Sequence, residues 1–289
     1  MRFHSAVAFL PTLELLGLAR AAEEQGYDGL YVSDHLFYPR DLRSRYPYSP
    51  QGDGSPLWPP ETDWPDPWVL ISAMAAVTRR LRFTTGVYVA PARDLVTVAK
   101  LVGTAAVLSG NRVALGVGAG WCRQEFEATG QRFEDRGRRL DDMIPALRAL
   151  WSGGWVSYDG PHHRVEPLQM NPSPTAPVPI YAGGHSEPAL RRAAGLCDGW
   201  LGASAYAPDD AWHHLDHLRE HRRRAGRAGE PFDVYLALAA RPDPDLYRRL
   251  GDAGVTDLIC APWMAARSST PEARIAAMAR FAEDVIAQT

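Results

Sequence analysis

Cysteine is scarce in this 289-residue chain. Cys122, Cys197 and Cys260 are odd in number, far apart and form no CxxC pair, which argues against both a disulfide framework and a zinc knuckle. No apolar run approaches the roughly 20 residues needed to span a bilayer. The N-terminal stretch MRFHSAVAFLPTLELL has one Arg and a short apolar run. It lacks the long apolar core and small-residue cleavage site of a secretory signal. Neither sign of charge dominates: 31 Lys+Arg against 34 Asp+Glu leave a net charge of -3. That is too near neutral for nucleic acid or a membrane surface to be the main partner. The expectation is a soluble, cytoplasmic protein that acts on a small molecule.

A hydrophobic fraction of 46% beside 22% charged residues is ordinary for a chain that buries a large core. Strand-like apolar runs alternate with helix-period segments along the whole length. The first strand, Phe3 to Phe9, precedes ELLGLARAAEEQ, where Leu15, Leu18, Ala19 and Ala22 repeat at helical spacing and Gly26 closes the helix. YDGLYVSDH, LRFTTGVYVAP, RVALGVGAG, PVPIYAGG, DGWLGAS, VYLALAA and VTDLICAPW supply seven more strands, each followed by a helical segment. Eight strand–helix pairs in unbroken order predict one α/β domain over 1–289, a (β/α)8 TIM barrel. A doubly wound open sheet does not require eight pairs, and its GxGxxG fingerprint is missing from the first βα turn. The strands are expected to end near Phe9, His35, Ala90, Gly120, Gly184, Ser204, Ala240 and Trp263. Two segments exceed the barrel minimum. Residues 38–66 form a long aromatic and Pro-rich loop after the second strand, and residues 152–177 read as a hairpin after the fourth helix, turning at Asp159-Gly160.

Active-site candidates in such a barrel are polar or glycine residues at strand C-termini. Ser33-Asp34-His35 closes the second strand; Asp34 could simply cap a turn, but His35 is placed to project into the mouth, where an imidazole can move a proton near neutral pH. Thr84-Thr85-Gly86-Val87 puts a glycine inside the third strand, either a close approach to a ligand or room for a bulky neighbour. The alternate glycines of Gly116-Val117-Gly118-Ala119-Gly120 relieve crowding or leave space for a flat ring. Gly183-Gly184-His185-Ser186, leading into a helix, offers free N–H groups for an anion. His213, His217 and His221 share one helical face beside His214, but that helix is loaded with Arg and Glu, so a solvated face is the better reading. The run Arg136 to Arg139 is a basic helix start that could also hold an anionic tail.

These residues together resemble the luciferase-like monooxygenase superfamily, and within it the deazaflavin- or flavin-dependent oxidoreductases. The matching stretches are YVSDHLFYP, LRFTTGVYVAPARDLVTVAK, LSGNRVALGVGAGWCRQEFEATG, FEDRGRRLDDMIPALRALW and VPIYAGGHSEPALRRAAGLCDGW, covering most of residues 20 to 202. The resemblance implies coenzyme F420, with FMN as the alternative, bound at the barrel mouth against the third and fourth strands. Asp34, Thr85, Gly86, Val87, Gly118 and Ala119 would lie around its ring, with a non-prolyl cis peptide between Gly86 and Val87. Gly183, Gly184, His185 and Ser186 would hold its phosphate, and His35 would be the catalytic proton carrier. No metal is implied, and a homodimer is a possible assembly. Trp121 stands where the family's sugar-phosphate dehydrogenases carry a glutamate, which argues against a sugar-phosphate substrate. Tyr46, Tyr48, Trp58, Trp64 and Trp68, in or beside the long loop, suggest an apolar or aromatic one. A metal-dependent barrel hydrolase predicts an HxH on the first strand, which offers only His4. A non-catalytic barrel predicts loss of the Asp34-His35 or Gly183–Glu187 groups, and both are intact.

Overall fold

The computed structural model describes residues 1–49 and 52–289, so residues 50 and 51 of the long loop lie outside the described residues. In chain order the elements are β1 (Arg2–Ala6), α1 (Leu15–Glu24), β2 (Gly29–Val32), α2 (Pro67–Ala76), β3 (Arg82–Thr85), α3 (Leu95–Leu108), β4 (Val113–Val117), α4 (Arg123–Ala128) and α5 (Arg136–Leu150). There follow β5 (Trp155–Asp159), β6 (Arg164–Gln169), β7 (Ile180–Gly183), α6 (Glu187–Leu196), β8 (Gly199–Tyr206), α7 (Pro208–Arg224), β9 (Asp233–Leu238), α8 (Pro244–Asp252), β10 (Asp257–Cys260) and α9 (Pro271–Asp284). Eight of the strands close in the order β1-β10-β9-β8-β7-β4-β3-β2, and β5 and β6 pair separately. Every barrel ladder is parallel. This is the predicted (β/α)8 barrel.

Period-2 alternation sorts each strand into two cores. Leu30, Phe83, Leu115, Ile180, Trp200, Leu236 and Leu258 face outward into the core shared with the helices. Their neighbours Tyr31, Ala114, Tyr181, Leu201 and Tyr235 fill the barrel interior. Strands buried on both faces read as continuous apolar runs, which is why they were legible. Helix starts follow local chemistry: Asp66 accepts from the N–H groups of Trp68 (2.9 Å) and Val69 (3.1 Å) ahead of Pro67 in α2, and Asp94 accepts from Thr97 (2.8 Å) in α3. Gly26 takes φ 84°, the left-handed turn that follows α1.

Five strands stop three or more residues short of expectation: β2 at Val32, β4 at Val117, and β1, β3 and β10. β1 stops at Ala6, before Phe9, which turns at φ 67°. β3 stops at Thr85; the Gly86–Val87 peptide is cis, and the chain rejoins β4 through an isolated bridge between Tyr88 and Val117. β10 stops at Cys260, and Trp263 lies in a short 3-10 turn with its indole N–H donating to the Ala6 carbonyl at 2.6 Å. The hairpin is present, but β5 and β6 are joined through residues 160–163 and not by a two-residue Asp159-Gly160 turn. Asp142 of α5 secures it: its carboxylate accepts from the Tyr158 hydroxyl (2.7 Å) and from the backbone N–H groups of His162 (2.9 Å) and His163 (2.8 Å). Pro145 sits inside α5 without ending it. The short α4 was not anticipated, and it carries a residue that matters below.

Candidate functional site

The C-terminal ends of the strands form the mouth, and the glycines there answer mostly to neighbouring protein atoms. A Cβ on Gly86 would fall 1.8 Å from the Tyr31 ring, so Gly86 exists to admit that tyrosine to the barrel interior. A Cβ on Gly116 would fall 1.9 Å from the Thr85 carbonyl. Gly118 and Gly183 flank the Val87 side chain, where their Cβ atoms would lie 2.4 and 2.3 Å from its methyls. Of the two readings of these glycines, crowding within the barrel is the one observed. Val87 thereby becomes the floor of the mouth between β4 and β7.

Two predicted cofactor contacts are turned into the protein. The Thr85 hydroxyl, fully buried, donates to the Gly116 carbonyl (2.8 Å) and accepts from the Gly116 N–H (2.9 Å). Asp34 is gripped by the Arg93 guanidinium through both oxygens at 2.8 Å and accepts from the Val89 N–H at 2.9 Å. Burial pushes the Asp34 carboxyl up and Arg93 opposes it, while Asp34 in turn holds Arg93 charged against burial. The Asp34 side chain fixes the loop after β3 and the Thr85 hydroxyl ties β3 to β4, so both side chains are engaged within the protein.

His35 is different. Its Nδ1 lies 3.0 Å from Glu125 Oε1, the same oxygen that accepts from the Leu36 N–H at 2.8 Å. Glu125, on α4, is buried. No described residue hydrogen-bonds the other ring nitrogen, Nε2. The imidazole is enclosed by Trp64, Trp58 and Trp121, whose ring centroids lie 4.8, 4.9 and 5.6 Å away. Tyr46 packs on Trp58 and Trp121, and Phe9 stacks on Trp58 at 5.8 Å. The long loop therefore folds over the mouth. Trp68 does not join it: it is buried in the helix-side core against Tyr88.

Tyr48 reaches the far wall, its ring 5.6 Å from that of His185. There Gly184 turns at φ 113° and Ser186 caps α6 without using its side chain. The backbone N–H groups of His185, Ser186, Glu187 and Ala189 donate to no described residue. The Glu187 carboxylate is drawn away to His221 Nε2 at 3.1 Å. A cluster of free N–H groups with the positive end of a helix dipole behind it suits a phosphate. So this wall fits the phosphate of a flavin-type cofactor, and the Val87 floor can back a ring.

The solvated face expected for α7 is observed at His213 and His217, which are exposed. His214 and His221 turn inward instead. His214 stacks on His185 (5.1 Å, 8° between planes), and the His185 Nδ1 lies 3.2 Å from the Tyr206 hydroxyl. Burial, then His185, pushes the His214 imidazole below its ordinary value. Of the basic run, Arg136 donates to the Gly120 carbonyl at 2.9 Å and Arg139 bonds Asp135 and the Pro91 carbonyl. These arginines brace the mouth from behind. Among the described residues no group of three or more His, Cys, Asp or Glu could hold a metal, and no helix is long and apolar enough to cross a membrane.

Residues 10–249 match the family model described as luciferase-like monooxygenase. An uncharacterized protein of Mycobacterium tuberculosis is 36% identical over 100% of both chains. An F420-dependent glucose-6-phosphate dehydrogenase of the same species is 31% identical over 84% of this chain and 69% of its own length. An F420-dependent secondary alcohol dehydrogenase, solved with an F420-acetone adduct, has the same fold, with a TM-score of 0.75 at 16% identity over 100% of this chain and 99% of the other.

Proposed function

The chain belongs to the luciferase-like monooxygenase family, and from that premise we propose that it is an oxidoreductase moving a hydride between coenzyme F420 and a small organic substrate at the barrel mouth. The observation that supports this most directly is the pairing of His35 with buried Glu125 on one wall and the free N–H groups of α6 on the other. F420 is preferred to FMN because relatives that align with most of this chain are named as F420-dependent enzymes.

The α6 N–H groups would hold the phosphate, and Gly118, Ala119, Gly183 and Val87 would border the ring. When bound, a deazaflavin supplies an obligate hydride acceptor or donor; the protein supplies orientation and the proton path. Glu125 accepts the Nδ1–H of His35, which leaves the lone pair on Nε2. Nε2 takes the hydroxyl proton of an alcohol as its carbon gives up hydride, and returns that proton in the reverse direction. Asp34 and Arg93 hold the loop behind the floor, and the tryptophans exclude water.

The test is a titration of the purified protein with F420 and with FMN, following tryptophan fluorescence. F420 should bind saturably and at least tenfold more tightly than FMN. Gly184→Asp should abolish F420 binding, because it sets a carboxylate against the phosphate at a backbone that favours glycine. Tighter binding of FMN would assign the site to oxygen-dependent flavin chemistry.

A further inference from the structure

We propose that the start of α5 is a second anion site, separate from the α6 turn, and that it takes the carboxylates of a ligand chain extending past the phosphate. Coenzyme F420 carries such a chain, a run of glutamates joined beyond its phosphate, whereas FMN ends at that group. The inference rests on the assignment of the α6 turn to the cofactor phosphate.

Three observations carry it. The first is local charge. Residues 132–139, RFEDRGRR, hold four arginines and two acids, and Arg123 of α4 joins them by pairing with Glu134 at 2.5 Å. Arg139 is spent on Asp135 and the Pro91 carbonyl, and Arg136 on the Gly120 and Phe133 carbonyls. Arg132 approaches Glu134 only at 4.0 Å, and Arg138, exposed on the first turn of α5, has no described partner. The acids of adjoining elements are each occupied: Glu127 by Arg43, Asp141 by Arg192 and Glu187 by His221.

The second is a crowding of like charge. The guanidinium carbons of Arg123 and Arg136 lie 4.5 and 3.8 Å from the centre of the Phe133 ring, which itself packs on Phe126. Burial, then the charge of Arg123, lowers Arg136 from its ordinary value. Cations gathered by stacking on one ring gain from an anion that enters beside them.

The third is the helix start. Asp135 caps α5 without using its side chain, and the N–H groups of Gly137 and Arg138 donate to no described residue. A carboxylate is favoured there as a phosphate is at α6. The two sites adjoin: Arg192 of α6 donates to the Gly137 carbonyl at 3.0 Å and pairs with Asp141. Packed helices lie roughly 8–10 Å apart, a span that a glutamyl chain covers in about three residues.

Fluorescence titrations of the full chain compare F420 bearing its glutamates with the same deazaflavin ending at a 5′-phosphate. At low salt the glutamylated form should bind at least fivefold more tightly, and about 0.5 M NaCl should remove most of that gap. Exposed ion pairs are individually weak, so two arginines are removed together. Arg132→Ala with Arg138→Ala should narrow the gap at least threefold and keep affinity for the 5′-phosphate form within about twofold. Arg79→Ala with Arg80→Ala, which removes the same charge before β3 at the opposite end of the barrel, should leave the gap unchanged. Equal binding of the two forms, or a gap indifferent to the rim variant, overturns the proposal and leaves the F420 assignment standing. Binding of neither deazaflavin removes the F420 assignment instead. The rim is then judged by calorimetry with γ-linked tetraglutamate alone: binding that is lost in the rim variant sustains the site, and absent or unaltered binding overturns it.

Discussion

The two ends of this barrel are built from opposite materials. At the N-terminal end, the first residues of β1, β9 and β10 are Arg2, Asp233 and Asp257, and they form one ionic plug. Arg2 Nε and Nη2 donate to Asp257 at 2.8 and 2.6 Å, and Nη2 also donates to Asp233 at 2.6 Å. His4 Nε2 lies 2.7 Å from Asp257, and the Tyr181 hydroxyl donates to Asp233 at 2.7 Å. At the C-terminal end the buried pair Asp34–Arg93 is set behind the loop, and His35 lies against buried Glu125. The mouth itself is tryptophan, tyrosine, glycine, the imidazoles of His35 and His185 and free backbone N–H groups. Most of the plug's donors and acceptors, His4 Nδ1 excepted, find partners within the protein, whereas the mouth leaves a run of backbone N–H groups unmet. That contrast is the one expected between an end that secures a barrel and an end that receives a ligand.

The sharpest way to break the contrast is to cut the plug. Asp257→Ala leaves His4 Nε2 buried without its partner and Arg2 with Asp233 alone. It should cost about 3 kcal/mol or more of stability, measured by urea unfolding, while ligand binding by the folded fraction stays unchanged. The mirror experiment at the mouth is His35→Ala. It should lower turnover by about 10² or more, equivalent to about 2.7 kcal/mol of barrier, yet keep the fold and hold cofactor affinity within about tenfold. If turnover survives while affinity collapses, His35 holds the cofactor and is not the proton carrier.

The plug should also reveal itself by pH. Burial pushes the Asp257 carboxyl up, but hydrogen bonds from His4 and Arg2 outweigh it and hold the pKa at about 2. The folded value thus lies below the unfolded value of about 3.9. This stabilisation is complete above the unfolded pKa and is lost as pH falls through the folded one, a loss of roughly 2 kcal/mol between about pH 5 and pH 1. Urea unfolding at stepped acid pH should show that slope in the wild type and a shallower one in Asp257→Asn. Equal slopes would mean that the acid sensitivity arises elsewhere.

The same contrast explains what could be read from residues alone. The barrel was legible because parallel strands buried on both faces show as apolar runs, and the helices between them keep a 3.6-residue period. His35 and the Gly183–Ser186 turn were legible because strand C-termini and helix N-termini carry positional meaning. The glycines at 86, 116 and 118 were ambiguous because the reason for a glycine lies in its neighbour, and Tyr31 and Val87 reach it only in three dimensions. The Asp34–Arg93 pair was hidden because its partners lie 59 positions apart. His214 was dismissed on the charge of its helix, although the packing of α7 on α6 decides which histidines turn inward. Glu125 was missed outright. It lies in the quoted stretch CRQEFEATG, but a six-residue helix is too short to show a period, and 90 positions separate it from His35.

Glu125 also gives the smallest and most discriminating prediction. Its Oε1 accepts two N–H groups at once, from Leu36 and from His35. A glutamine in its place should keep its amide oxygen toward both, because the Leu36 N–H also requires an acceptor there and an amide nitrogen cannot serve. Glu125→Gln should therefore preserve the His35 tautomer and orientation while removing the negative charge that supports an imidazolium. The loss is that of a charge-assisted hydrogen bond weakened to a neutral one, about 1 to 1.5 kcal/mol. Turnover should fall about tenfold, with KM and unfolding free energy nearly unchanged. Glu125→Ala, which deserts both donors, should lower turnover further and cost stability as well. A purely structural Glu125 would make the two variants differ in stability but leave turnover per folded molecule untouched. Stopped-flow single turnovers on both proteins, with the fraction folded measured in parallel, distinguish that outcome from a positioning role.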